Sequence, residues 1–444
     1  MRARRGSETA RGAGMAGMAG MVKKRSLLFA FPLLVGGCFA SEGVIARSQP
    51  EVPLWYHHSG SSLSPAFREQ ITAPERSETP AYEKGQPAFD EAGARVFVGS
   101  SDGGIYAIDA RSGAIRWRFQ TAGMVQSELH HEAARDLLLA GSNDGAMYAL
   151  RASDGMLLWR FQTGGPIHRK PAVAGDRVIF TSEADQIFCV DISSGKPFWQ
   201  KVRPPAAGTE IAGHSGAHLV GDRVYTSSSD GMALAYDALS GREAWEGIDL
   251  NVEADLAGAK EAIHYLDADA TPVSFRLPTG VTAVYFAGYG GGIQAVDAVD
   301  GRRLWSFSAG KGVSDLVLWR EEAHAAREAG LGLSGPEVPE RVLLLAVSAI
   351  GGVWALDPKT GEPRWHLAAP KGGITAPTPV AGALAIGTGR NGLFLVSPRN
   401  GRVIDGLDVA DGFSARPAAG SHGLFAFTNT GTLMGLRVLP PLAE

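Results

Sequence analysis

The chain has 444 residues, 45% of them hydrophobic and 20% charged, enough to bury one large core or several modest ones. Its formal net charge is −4 and no long basic run follows residue 26, which leaves no electrostatic footprint for a nucleic acid. The 58 glycines, far above the usual share and without a collagen period, imply many tight turns.

The first element in chain order is a leader. Lys23, Lys24 and Arg25 form a basic stretch, and Leu27 to Val35 an apolar one, far shorter than the roughly 20 residues of a membrane helix. It ends in Val35-Gly36-Gly37-Cys38, which resembles a bacterial lipobox with Cys38 as the lipid carrier. Residues 1–37 are therefore expected to be a signal peptide, with Met21 as an alternative start, and 38–52 a lipid-anchored tether. The competing reading is an ordinary signal peptide that happens to contain a cysteine. Phe39, where an Asp would signal retention, resembles the sorting pattern of outer-membrane lipoproteins that face the periplasm. The second cysteine, Cys189, has no partner if Cys38 carries lipid, so the fold must stand without a disulfide.

From residue 53 to about 440 the chain rewrites one unit. Its copies end at IYAID (Asp109), MYALR (Arg151), IFCVD (Asp191), ALAYD (Asp237), IQAVD (Asp297), VWALD (Asp357), LFLVS (Ser397) and LMGLR (Arg437). The anchors lie about 40 residues apart, stretching to about 60 at two intervals. The first copy contains QPAFDE (86–91), ARVFVGS (94–100), GIYAID (104–109) and AIRWRFQ (114–120), four short β-type runs. Four strands per such unit predict an all-β, eight-bladed β-propeller; seven blades plus a decayed copy is the competing reading.

The turns carry the same period. Six residues before the anchors stand Gly103, Gly145, Asp185, Gly231, Gly291, Gly351, Asn391 and Gly431, which predict two-residue hairpin turns with a left-handed residue there. Four residues after the first seven anchors stand Gly113, Gly155, Gly195, Gly241, Gly301, Gly361 and Gly401, each closing a turn that Asp or Ser opens. Eight residues after come Trp117, Trp159, Trp199, Trp245, Trp305 and Trp365, then Asp405. The eighth position falls past residue 444, so PLWYHH (53–58) is expected to close the last blade with Trp55.

The recurring D-x3-G-x3-W resembles the tryptophan-docking motif of the pyrroloquinoline-quinone (PQQ)-like eight-bladed propellers, over nearly the whole chain beyond the leader. That family includes quinoprotein dehydrogenases and BamB-like lipoproteins of the outer-membrane barrel-assembly machinery. The resemblance, with the lipobox, is closest to the latter. It implies a non-enzymatic scaffold that binds outer-membrane assembly proteins or other envelope proteins and needs no cofactor. The alternative it implies is a PQQ- and calcium-dependent dehydrogenase of sugars or alcohols. Against that alternative, the chain has no adjacent cysteine pair and no C-x-x-C-H haem motif. Cys189 occupies a slot that is alanine in most copies, which predicts a small buried core residue.

Candidate site residues follow from the inner strands, which begin near Gln86, Glu128, Lys170, Ser215, Thr271, Asp315, Thr378 and Arg416. Glu128, Lys170, Asp315 and Arg416 are expected to ring one mouth of the central channel as a self-neutralising lining. No metal site is expected: His57-His58 and His130-His131 are adjacent pairs that strands would point apart, and His214 and His218 sit in Gly-rich GHSGAH. Two insertions, 249–268 and 320–340, are expected on opposite faces, the second as a short helix ending at Gly330.

Overall fold

The strand sequences RVFVG (Arg95–Gly99) and GIYAID (Gly104–Asp109) show almost continuous burial rather than alternation. Such strands need cover on both faces, and a ring of stacked sheets supplies it. The computed structural model describes residues 62–72, 82–204, 214–251, 267–321 and 341–439. It contains eight four-stranded sheets, each a meander of strands A to D from the channel outward. Blade 1 runs Ala88–Asp90 (A), Arg95–Gly99 (B), Gly104–Asp109 (C) and Ile115–Gln120 (D). Blades 2 to 8 begin their A strands at His130, Ala172, His218, Val273, Val313, Thr378 and Ala418. The propeller lies within the unit spanning residues 51–444. Among the described residues no helix is long and apolar enough to cross a membrane.

Six tryptophans dock as the repeat demands. A Cβ added to Gly155 would lie 2.7 Å from the Trp117 ring; Gly195, Gly241, Gly361 and Gly401 sit about as close to Trp159, Trp199, Trp305 and Trp365, and Gly301 is 3.2 Å from Trp245. All seven of these turn glycines, Gly113 included, have positive φ, so the ring of one blade rests on a left-handed turn of the next. The indole N–H then donates to the carbonyl just past the next anchor: Trp117 to Ala152, Trp159 to Ile192, Trp199 to Ala238, Trp305 to Pro358 and Trp365 to Pro398, at 2.8–3.1 Å. Trp245 alone lacks this bond, because Tyr225 and Arg223 already donate to its counterpart, the Ala298 carbonyl. Asp109 opens its turn by accepting from the backbone N–H of Arg111 and Ser112 at 3.0 and 2.9 Å.

The closing strand is not the expected one. Blade 8 consists of Ala418–Gly420, Gly423–Phe427, Thr432–Val438 and, outermost, Leu63–Gln70. The outer place expected for PLWYHH is held by Leu63–Gln70, and PLWYHH with Trp55 lies outside the described residues. Phe67 does the docking instead. It pairs with Gly435, as Trp117 pairs with Ala107, and its ring lies against Gly113 of blade 1. At the joint between blades 7 and 8 the ring is replaced by a carboxylate: Asp405 Oδ2 accepts from the backbone N–H of Ser62 and Leu63 at 2.9 and 3.0 Å. The position that breaks the tryptophan pattern thus holds the start of the closing strand.

Two further expectations need correction. The B-to-C hairpin turn of blade 1 holds three residues, with Gly103 N–H bonded to Ser100 O and Ser100 N–H to Gly104 O. In blades 5, 6 and 7 the left-handed residue is Gly292, Gly352 or Gly392, one position later than Gly291, Gly351 or Asn391. There Gly288, Ser348 and Thr388 pair directly with those glycines, so the loop again holds three residues and only its left-handed residue has moved. Cys189 is fully buried, as its slot implies. Cys38 and the insertions fall at residues outside those described, apart from the insertions' flanks.

Candidate functional site at the channel mouth and the outer rim

The D-to-A and B-to-C connections of the meanders share one face, and there the inner strands bring charges together. Arg169 lies at the centre. Its Nη1 donates to Glu128 Oε1 at 3.2 Å and Asp315 Oδ1 at 3.1 Å. Its Nη2 donates to the carbonyls of Asp269 and Ser314 at 3.0 and 3.2 Å, and its Nε to that of His214 at 2.9 Å. A guanidinium has five N–H donors, and all five are spent on blades other than its own. Gln86 Nε2 adds a bond to Glu128 Oε1 at 3.2 Å.

Glu128 and Asp315 meet at Arg169, Arg416 lies close enough to feel both carboxylates, and Lys170 does not join them. Arg416 Nε donates to Thr378 Oγ1 at 3.2 Å; burial lowers its pKa, and the carboxylates of Glu128 and Asp315 work against that. Lys170 is exposed. The reason is a slip of one residue. Gln86 N–H bonds Ser127 O, one residue before Glu128, but Glu128 N–H bonds His168 O, two before Lys170. Shifting an extended segment by one residue exchanges the side chains that face each way, so Arg169 enters the channel.

This donor set does not fit a calcium–quinone centre. Calcium needs several oxygens converging on one point. Here Glu128 and Asp315 converge on a guanidinium, which takes the place the cation would need.

The perimeter is built differently. Among the described residues each D strand is the last in its sheet and keeps one backbone edge unpaired. On blades 1 to 3 these strands, with the residue leading into that of blade 2, also expose apolar side chains: Ile115, Met156, Leu157, Leu158, Phe198 and Val202. Repetition alone does not reveal this, because D-strand positions vary between copies. On the other side, blades 5 to 7 form a cleft lined by Arg276, Arg320, Arg341, Lys359, Arg364 and Arg399. Glu321 and Asp357 offset part of that charge, pairing with Arg399 and Arg364.

Comparison with known proteins follows the fold. Residues 101–313 and 267–434 match the family described as outer membrane protein assembly factor BamB. A protein of that description from Legionella pneumophila (strain Paris) is 24% identical over 221 residues, 50% of this chain and 50% of that one. The match thus spans about half the length of that relative. The crystal structure of BamB from Moraxella catarrhalis is similar with a TM-score of 0.63, covering 84% of this chain and 99% of that one at 17% identity. Quinohemoprotein alcohol dehydrogenase from Comamonas testosteroni is similar with a TM-score of 0.57, covering 86% and 77% of the two chains at 12% identity. At such identities the two structures share the fold and carry no function across. The paired family matches extend over most of the propeller, and the chain belongs to the BamB family of PQQ-like repeat propellers.

Proposed function

We propose that this chain is a non-enzymatic scaffold, anchored at the outer membrane through lipid on Cys38 and facing the periplasm, that holds partner proteins during outer-membrane β-barrel assembly. The observation that carries this reading is the set of open outer strands on blades 1 to 3, with apolar side chains beside unpaired backbone. An extended partner segment adds to such an edge through main-chain hydrogen bonds, and alternate side chains supply specificity. Family membership supports the assembly role, and the internally neutralised channel mouth gives no support to covalent chemistry there. Purification of the protein from membranes in mild detergent tests it. Recovery of the barrel-assembly machinery is the expected result, and its reproducible absence would overturn the assembly role. The PQQ-dependent dehydrogenase rests on shared fold alone; dye-linked sugar or alcohol oxidation after adding PQQ and calcium would revive it.

A further inference from the structure

Beside the Arg169 network, the same face holds three metal-type ligands from three connections. His168 lies in the loop entering blade 3, Glu183 in the B-to-C turn of blade 3, and His214 in the loop entering blade 4. One ligand atom from each lies within 4.8 Å of the other two. Two features mark the trio as more than a chance cluster.

The first is the tautomer of His168. Gln126 Nε2 donates to the Tyr82 carbonyl at 3.4 Å, which turns Gln126 Oε1 toward Asn143 Nδ2 at 3.2 Å. Asn143 Oδ1 consequently faces His168 Nε2 at 2.8 Å, so Nε2 carries a proton. His168 Nδ1 then faces Glu183 Oε1 at 3.0 Å. Two lone pairs would repel at that distance unless a proton or a cation lies between them. An outer partner that fixes the far ring nitrogen is the arrangement that prepares histidine as a metal ligand.

The second is His214. It is 6% exposed, and among the described residues its ring nitrogens make no well-formed hydrogen bond, only a weak one to the Thr181 backbone. A buried polar group left in this state costs free energy that a bound ion would recover. The surroundings contain an excess of acid. Asp269 is pushed up to about 7 by burial and by Asp267, Glu183 and Asp185 against the pull of Arg169, whose donors are already spent.

We infer that His168, Glu183 and His214 bind one divalent ion of the zinc type, joining blades 3 and 4, with the Asn143 amide of blade 2 holding His168 in place. Two imidazoles and one carboxylate are a common zinc set, and a tetrahedral site separates its ligand atoms by about 3.4 Å. A closure of no more than roughly 1.4 Å completes it, leaving the fourth position to water. The side chains of His168 and Glu183 are 26% and 23% exposed, which provides an entry path.

The test uses the folded mature chain, stripped with a chelator and titrated with zinc against a chromophoric competitor. One equivalent binds. Glu183→Gln, a half-exposed isostere that spares the core, weakens binding at least about tenfold, and Asn143→Leu weakens it by about 10–100-fold. Cobalt in place of zinc gives intense tetrahedral visible bands that the Glu183→Gln chain lacks. Zinc bound equally by wild type and by a His168→Gln/Glu183→Gln chain of unchanged circular dichroism would overturn the assignment. Loss of all binding on replacing His57 and His58 would do the same, as would no binding by the wild-type chain.

Discussion

The channel mouth and the outer rim are made by the two ends of the same meander, and they use polar groups in opposite ways. At the mouth, Arg169 spends five donors on blades 2, 4, 5 and 6, and its carboxylate partners are committed to it. At the rim, each sheet ends in a strand with an open backbone edge, and on blades 1 to 3 those edges carry exposed apolar side chains. A mouth of this kind locks blades to one another; a rim of this kind is available to another chain. The contrast separates residues that hold the ring from residues that meet a partner.

The largest expected effect is at the mouth. Arg169→Met leaves Glu128 and Asp315 without their directly bonded partner and lowers unfolding free energy by about 3–5 kcal/mol in denaturant titration. A loss below about 1 kcal/mol would mean the carboxylates are hydrated and the mouth is not a clamp. Next is Asp405→Ala at the one polar joint of the rim, which strands the Ser62 and Leu63 N–H groups and costs about 2–3 kcal/mol. Limited proteolysis of that variant cuts near residue 62 faster than in wild type; unchanged cleavage would assign ring closure to Phe67 alone.

Acid acts through the inner strands as well. His130 and His218 lie on A strands, and burial pushes each down to about 4 from 6.5, with Lys170 and His131 adding to the effect on His130. Both are neutral in the folded chain and take up protons more readily when unfolded. Their contribution is complete above the unfolded value and is lost as pH falls from about 6.5 toward 4. By about pH 5 the loss is about 2 kcal/mol per histidine. Denaturant midpoints at neutral pH and at pH 5 check this, and His130→Gln removes its share of the slope. The smallest effect on stability belongs to the rim: Leu157→Lys changes it by less than about 0.5 kcal/mol, yet abolishes partner recovery.

Much of the ring was legible because its joints repeat at fixed spacing. Asp109, Gly113 and Trp117 form a turn and a docking ring whose geometry depends on local sequence, and the copies confirm one another. The closure escaped because the slot selects for a ring resting on Gly113, and Phe67 fills it without a D-x3-G-x3-W before it. A signal was available: the docking rings pair with small residues, Ala107, Ala149, Cys189, Ala295 and Ala355, and Gly435 marks the same need in the last copy. Arg169 was missed in favour of Lys170 because a one-residue slip in the loop leaves no trace in strand spacing. His168, Glu183 and His214 come from separate connections, so no local spacing joins them.

The central claim is that partners meet the rim and not the mouth. A photo-crosslinking residue placed at Leu157 on the outer strand of blade 2, and in a second chain at exposed Lys170 at the mouth, tests it in intact envelopes. An adduct with an outer-membrane assembly protein from position 157 and none from position 170 is the predicted result. Adducts from position 170 alone would contradict it.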